Sequence, residues 1–86
     1  MYKRIRDLRE DKDISQTTLA KVLGMSQTGY SKYETGENDI PTNILIKLAL
    51  FHDTSVDYLL GLTDERKPYL HSKAVDNTIN KLLKKE

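Results

Sequence analysis

The chain has 86 residues, 37% hydrophobic and 31% charged, which suits one small globular core and excludes a second core of useful size. Fourteen Lys and Arg against thirteen Asp and Glu give a formal net charge of +1, so the overall charge indicates no polyanionic partner. Because cysteine is absent and no long apolar run or signal-peptide pattern occurs, disulfides and thiolate metal sites are excluded, and a cytoplasmic protein without a membrane partner is predicted.

The first two predicted helices are short. Two apolar residues three positions apart, in an otherwise charged segment, indicate an amphipathic helix over about residues 2–12. The second helix is predicted over residues 16–23, because Ser15 is a suitable N-cap and Gly24 can adopt the backbone that ends a helix.

A third helix is predicted after Ser26, another N-cap residue type, and it should end where Thr35 and Gly36 interrupt the pattern. Residues 36–41 are rich in turn-forming residues and end in a proline, which disfavours helical backbone at the preceding residue. This stretch is therefore predicted to be a loop.

Two further helices are predicted after the loop. The fourth is strongly apolar and should be capped by Thr42, and the fifth lies between Ser55 and Gly61. Residues 64–86 begin with a polar segment that is predicted to be a linker. An apolar stripe at helical spacing then predicts a sixth, C-terminal helix, formed by Val75, Ile79, Leu82 and Leu83. The pattern leaves open whether this helix folds back on its own domain or mediates dimerisation.

The second and third helices have the features of a helix-turn-helix, in which a tight turn presents the second helix to a DNA major groove. Ala20 is small where the two helices would approach most closely, and Gly24 begins the turn. Leu19, Tyr30 and Tyr33 are spaced to anchor the pair in a core. The spacing predicts a DNA-binding unit.

Residues 15–36 resemble the XRE family, the lambda repressor-like and Cro-like DNA-binding domains. Arg9, Pro41 and residues 55–61 match the same pattern, so that the resemblance extends over about residues 5–63. Gly29 departs from it, since glycine inside a helix costs about 1 kcal/mol relative to alanine.

The resemblance implies an all-α, five-helix, lambda-repressor-like DNA-binding domain over residues 1–63, with residues 64–86 as a linker and a C-terminal helix that could dimerise. We expect a transcriptional regulator, acting as a repressor, that binds a double-stranded DNA operator as a homodimer. No cofactor, metal ion or small-molecule ligand is expected, because two histidines without cysteine offer no recognisable ligand spacing. Both His52 and His71 are predicted to lie at the surface.

The resemblance also implies roles for particular residues. The third helix, about residues 27–34, would contact base edges through Gln27, Thr28, Ser31 and Lys32. Candidates for contacts with the phosphate backbone are Gln16, Lys21, Asn38 and Thr42, of which Lys21 lies outside the family's pattern. Arg9 and Glu34 match an internal ion pair that supports the third helix, and Ala20 and Gly24 support its angle.

Two other classes of function are weighed against this interpretation. In the first, the protein is an interaction module, antitoxin-like or binding an anti-repressor, whose C-terminal helix binds another protein while DNA binding is secondary. In the second it is an enzyme, which the sequence disfavours because no motif arranges a nucleophile with a base and no glycine-rich phosphate loop follows a strand.

Overall fold

A computed structural model describes residues 2–69 of the chain. Within this range the fold is all-α, as predicted, and contains five helices and no strand. The helices are α1 (Lys3–Asp11), α2 (Gln16–Leu23), α3 (Gln27–Thr35), α4 (Thr42–Phe51) and α5 (Val56–Leu59). None of them is long and apolar enough to cross a membrane. The predicted sixth helix lies outside the described residues, and the domain boundary at residue 63 stays a prediction.

Serine side chains begin three of the helices, as the sequence predicts. The hydroxyl oxygens of Ser15, Ser26 and Ser55 each accept a hydrogen bond of 3.0 Å from the backbone N–H three residues later. Each bond satisfies one of the N–H groups that have no partner within the helix, and such a cap stabilises a helix by about 1 kcal/mol.

The predicted cap of α4 is wrong. Thr42 is the first residue of the helix, and the N-cap is Pro41, which makes no side-chain capping bond. Proline is extended here, with φ at −60° and ψ at 150°, and its carbonyl accepts the first helical bond from Leu45. Because its ψ is extended, Pro41 lies outside the helix, and α4 begins at Thr42 without a side-chain cap.

All five helices contribute to one core. Its buried apolar residues are Ile5, Leu8, Leu19, Ala20, Leu23, Tyr30, Ile44, Leu48, Ala49 and Leu59. Tyr30 is completely buried and meets Tyr33 edge to face, with their ring centroids 6.3 Å apart. Since α3 has only this side in the core, Tyr30 fixes which face of α3 remains outside.

The polar segment that follows α5 is bound to the helical domain. The Arg4 guanidinium donates to the carbonyls of Tyr58 and Thr63, at 2.7 and 2.6 Å, and pairs with the Asp64 carboxylate at 2.9 Å. The Thr54 hydroxyl donates to the carbonyl of Arg66 at 2.6 Å. Residues 63–66 therefore contact α1 and the turn between α4 and α5.

His52 is buried rather than at the surface as the sequence predicts. It is 3% exposed, ends α4, and packs edge to face against Phe51. Neither ring nitrogen has a hydrogen-bond partner among residues 2–69. Burial lowers the pKa of His52 to about 4, and the nearby charges of Lys12 and Arg66 act in the same direction.

Candidate nucleic-acid interface

The turn between α2 and α3 is held by backbone geometry. Gly24 has a φ of 73°, in the left-handed region where a Cβ is disfavoured, and it ends α2. The next N–H, from Met25, donates to the carbonyl of Ala20 at 2.9 Å. Ala20 itself is buried, which is compatible with a close approach of α2 and α3. The two helices therefore meet through a three-residue turn of fixed shape.

The four predicted base-contacting residues share one side of α3. They are Gln27, Thr28, Ser31 and Lys32, at positions that lie next to one another on a helix. Gln27 and Thr28 are exposed, whereas Ser31 and Lys32 are half-buried. The other side of α3 carries Tyr30 and Glu34 into the protein interior. The helix therefore presents a polar face, while its opposite face is buried against the rest of the domain.

A chain of hydrogen bonds connects this face to the interior. The Gln27 side-chain amide donates to the side-chain oxygen of Gln16 at 2.6 Å. Gln16 donates in turn to a carboxylate oxygen of Glu34 at 2.9 Å. Gln16 thus lies between a predicted base-contacting residue and a buried carboxylate, and its position at the start of α2 fixes the orientation of Gln27.

Glu34 and Arg9 form a two-pronged ion pair below the same surface. Arg9 Nε donates to Glu34 Oε2 at 2.6 Å and Arg9 Nη2 donates to Oε1 at 3.0 Å, while Nη1 donates to the carbonyl of Ile14 at 2.9 Å. The side chains are 12% and 4% exposed. This pair joins the last turn of α1 to the end of α3.

The surroundings of Glu34 favour its charged form. Burial alone would raise the pKa of the carboxyl, but Arg9, the neighbouring Tyr30 hydroxyl and Gln16 together outweigh burial and hold the pKa below its ordinary value. The hydrogen bonds that Arg9 makes with Glu34 raise the pKa of Arg9. Burial also raises the pKa of the neighbouring Tyr30 hydroxyl, which therefore stays neutral.

The structure gives a reason for the glycine inside α3. A Cβ added to Gly29 would lie 3.1 Å from the Ser26 hydroxyl oxygen and 3.2 Å from the terminal carbon of Met25. The first of these atoms is the N-cap of α3, and Met25 belongs to the turn. Glycine therefore leaves room for the cap and the turn at the start of the helix.

The predicted phosphate-contacting residues occupy two regions. Gln16 and Lys21 belong to α2, where Lys21 is exposed, while Asn38 and Thr42 are exposed in and after the loop that joins α3 to α4. The Asn38 N–H donates to the Lys32 carbonyl at 3.1 Å, so the loop begins close against the end of α3.

Two charged residues near this surface, Arg6 and Glu37, were not predicted from the sequence to belong to the site. Arg6 lines a cleft of about 470 Å³ with Arg9, Gln16, Glu34 and Thr35, and its side chain is 62% exposed. Glu37 places its carboxylate 3.8 Å from the Lys32 ammonium. Both residues occupy polar positions in the sequence. The orientation of their side chains depends on how the helices pack, and no local sequence pattern predicts that packing.

Comparison with known proteins gives consistent matches. The helix-turn-helix family model matches residues 5–59. Among Bacillus subtilis (strain 168) proteins, the HTH-type transcriptional regulator YobD is 35% identical, over 94% of this chain and 73% of YobD. The HTH-type transcriptional regulator ImmR is 31% identical, over 94% of this chain and 63% of ImmR.

A prophage-derived relative matches a shorter stretch. The SPbeta prophage-derived HTH-type transcriptional regulator YonR, also from Bacillus subtilis, is 37% identical over 66% of this chain and 53% of its own length. The chain thus spans between about half and three quarters of these relatives. No solved structure matches significantly.

Proposed function

This chain belongs to the XRE-type helix-turn-helix family of DNA-binding transcription regulators, and from that premise we propose that it is a repressor that binds a DNA operator as a homodimer. The observation that carries the proposal is the polar face of α3, formed by Gln27, Thr28, Ser31 and Lys32. Its back is anchored by Tyr30 and Glu34. A rigid helix with one free polar face suits insertion into a major groove.

The side chains on this face suit the reading of base edges. Glutamine can pair with adenine through two hydrogen bonds, lysine can donate to N7 and O6 of guanine, and the threonine methyl can contact the methyl of thymine. Because Gln16 donates to Glu34 and accepts from Gln27, the amide of Gln27 is oriented before DNA arrives. Pre-orientation lowers the entropy cost of forming a base contact.

Contacts with the sugar-phosphate backbone would fix the register of α3 in the groove. In this proposal they come from Gln16, Lys21, Asn38 and Thr42. The start of α2 contributes free backbone N–H groups and the positive end of the helix dipole, which favour a phosphate beside Gln16. These contacts supply affinity for any DNA sequence, whereas α3 supplies the preference for one sequence.

The proposed dimer follows from the short length of the recognition helix, and the proposed repression follows from occupancy of the operator. A recognition helix of nine residues reaches only a few base pairs, and a two-fold dimer would read two half-sites about one DNA turn apart. A protein that occupies an operator blocks other proteins from the same DNA without needing a further active surface. Repression is therefore the regulatory action that requires nothing of this chain beyond DNA binding.

A random-sequence binding selection with the purified protein tests the function. Enrichment of inverted repeats with half-sites about 10 base pairs apart would support a dimeric repressor. Low salt strengthens phosphate attraction, so the selection is run at both low and physiological salt. If no sequence is enriched at either salt concentration, specific recognition by this protein is ruled out.

Lys32→Ala is expected to weaken binding to the selected sequence by about 1–3 kcal/mol and to relax discrimination at one base pair, because a donor to guanine is removed. Titrations of the selected duplex and of its single-base variants measure both effects. Lys67→Ala is the matched control, since it removes one exposed positive charge after α5. Unchanged discrimination in Lys32→Ala would remove Lys32 from the base-contacting residues.

Truncation after Tyr69 tests the homodimer. The cut keeps the contacts of Asp64 and Arg66 with the helical domain, so the described fold should persist. If residues 70–86 carry the dimer interface, we expect a monomer by sedimentation and a loss of operator affinity of about a hundredfold or more, because the two recognition helices are no longer linked. A truncated protein that keeps its operator affinity but loses binding to another protein would favour the interaction module.

A further inference from the structure

The carboxylate of Glu37 lies beside the ammonium of Lys32 at the edge of the proposed DNA-binding face. Glu37 Oε2 and Lys32 Nζ are 3.8 Å apart, and the two side chains are 65% and 42% exposed. An exposed pair of this kind contributes little to folding stability. The position of Glu37 matters more than this contribution to stability, because its negative charge repels a nearby DNA phosphate.

The backbone around Glu37 is fixed against the end of α3. Its own N–H donates to the Thr35 hydroxyl at 3.4 Å, and that hydroxyl donates to the Lys32 carbonyl at 3.3 Å. The same carbonyl accepts the N–H of Asn38 at 3.1 Å. Between them Gly36 has a φ of 82°, which turns the chain back over α3. The turn therefore fixes the backbone of Glu37 beside the end of α3, and from there its carboxylate reaches Lys32 although both side chains are exposed to solvent.

Lysine at a recognition face can bind DNA in two ways. Its ammonium is a compact charge on a flexible stem, so it can donate to guanine in a matching sequence or bind a phosphate in any sequence. The second mode strengthens binding to unrelated DNA and lowers the ratio between specific and non-specific affinity. A carboxylate nearby competes with the phosphate for the same ammonium.

We propose that Glu37 is a specificity-determining residue, which holds the Lys32 ammonium away from phosphates on non-cognate DNA and leaves it free to donate to a base in the operator. The inference rests on the proposed function, because it assumes that Lys32 faces DNA bases. On the operator, Lys32 donates to guanine N7 and O6 and stays beside Glu37, because its ammonium carries three donors and the 3.8 Å pair leaves them free for the base. On other sequences no such bonds are available, and Lys32 stays with Glu37.

Removal of the Glu37 charge should therefore affect the two kinds of DNA unequally. In Glu37→Gln, Lys32 gains a phosphate contact on non-cognate DNA, whereas on the operator it keeps the base contact that it already makes. The loss of repulsion between the carboxylate and phosphates helps both kinds of DNA within the roughly 8 Å screening length at physiological salt. The ratio of the two affinities consequently falls.

The test uses the full chain, the duplex recovered by the binding selection and a shuffled duplex of the same composition. For Glu37→Gln we expect affinity for the shuffled duplex to rise about fivefold and affinity for the selected duplex about twofold, within the range of an exposed ion pair. The slope of log affinity against log salt on the shuffled duplex should steepen by about 0.9, the value for one added phosphate contact.

Two controls separate this effect from the loss of one negative charge. Asp39→Asn removes a carboxylate from the same loop, and residues 2–69 contain no cation within ion-pair distance of Asp39. It should raise both affinities equally and leave their ratio unchanged. In the Lys32→Ala background, Glu37→Gln should no longer change the ratio, because the ammonium that it controls is absent.

The outcomes distinguish the two hypotheses. If the wild-type protein shows no preference for any duplex, the proposed function fails and the role of Glu37 fails with it. If the wild-type protein prefers the selected duplex but Glu37→Gln keeps the same affinity ratio, or Asp39→Asn lowers the ratio equally, the proposed function stands and the role of Glu37 is overturned.

Discussion

Replacement of Glu34 by glutamine is expected to lower the free energy of unfolding by about 3–5 kcal/mol, the usual cost of removing one partner from a buried ion pair. The side chain is 4% exposed, and it accepts two bonds from Arg9 and one from Gln16. Glutamine has nearly the same shape but no charge, and one of its two terminal groups donates instead of accepting. Arg9 would keep its charge in a site that excludes most of the solvent.

The measurement is urea denaturation at neutral pH, followed by circular dichroism. For a domain of this size, 3–5 kcal/mol is comparable with the whole stability, so a large fraction of the variant should be unfolded without denaturant. Glu10→Gln is the matched control, because it removes the acidic partner from the exposed Arg6–Glu10 pair on α1. We expect a change of no more than about 0.5 kcal/mol there. Equal losses in the two variants would contradict a special role for the buried pair.

The effect on DNA should differ from that of a base-contacting residue. Because Glu34 lies on the back of α3, and the amide oxygen of a glutamine there can still accept from Gln16, the substitution should lower the population of folded protein and leave the order of preference among operator variants unchanged. A ligand that binds only the folded state should also recover part of the lost stability. Thermal unfolding with and without the selected duplex measures this recovery.

Local rules were sufficient to predict much of the fold. The limits of α2 follow from Ser15 and Gly24, since an N-cap hydroxyl and a left-handed glycine act within a few residues of the helix ends. The start of α3 follows from Ser26 for the same reason. The cap of α4 was predicted wrongly because threonine fits both the N-cap and the first turn of a helix, and in the structure the extended residue before the helix is Pro41.

The site could be predicted only in part, because its contacts join residues that are distant in sequence. Gln16 and Gln27 are 11 positions apart, and Gln16 and Glu34 are 18 apart. Family resemblance named these residues separately, but the hydrogen-bonded chain that links them depends on how α2 packs against α3. The same applies to Glu37, whose distance from Lys32 is set by the turn at Gly36.

His52 shows the limit of reading one helix at a time. Its place at the end of α4 looks exposed, because the sequence turns polar directly afterwards. In the structure it is buried, and the segment after α5 comes close enough for the charge of Arg66 to lower its pKa. Neighbouring Thr54 is also buried and donates to the Arg66 carbonyl. A tertiary contact therefore covers a residue that its own helix would leave at the surface.

The burial of His52 predicts that the protein loses stability on mild acidification. Its pKa is about 4 in the fold and about 6.5 in the unfolded chain, so below pH 6.5 the unfolded state binds a proton that the folded state does not. Stability is complete above pH 6.5 and is lost as the pH falls towards 4, by about 3 kcal/mol in total. Lys12 and Arg66, the charges near the ring, oppose protonation as burial does.

Chemical denaturation at a series of pH values between 7 and 5 measures the effect, and about 2 kcal/mol of the loss is expected in this interval. Glu34 does not interfere there, because its lowered pKa keeps it charged until the solution is more acidic. His52→Leu should make stability nearly independent of pH over this interval, since it removes the proton site together with two buried nitrogens that lack partners among residues 2–69. His71→Gln removes the other histidine and should keep the wild-type dependence. If His52→Leu and the wild-type protein lose stability in parallel, the acid sensitivity does not come from His52.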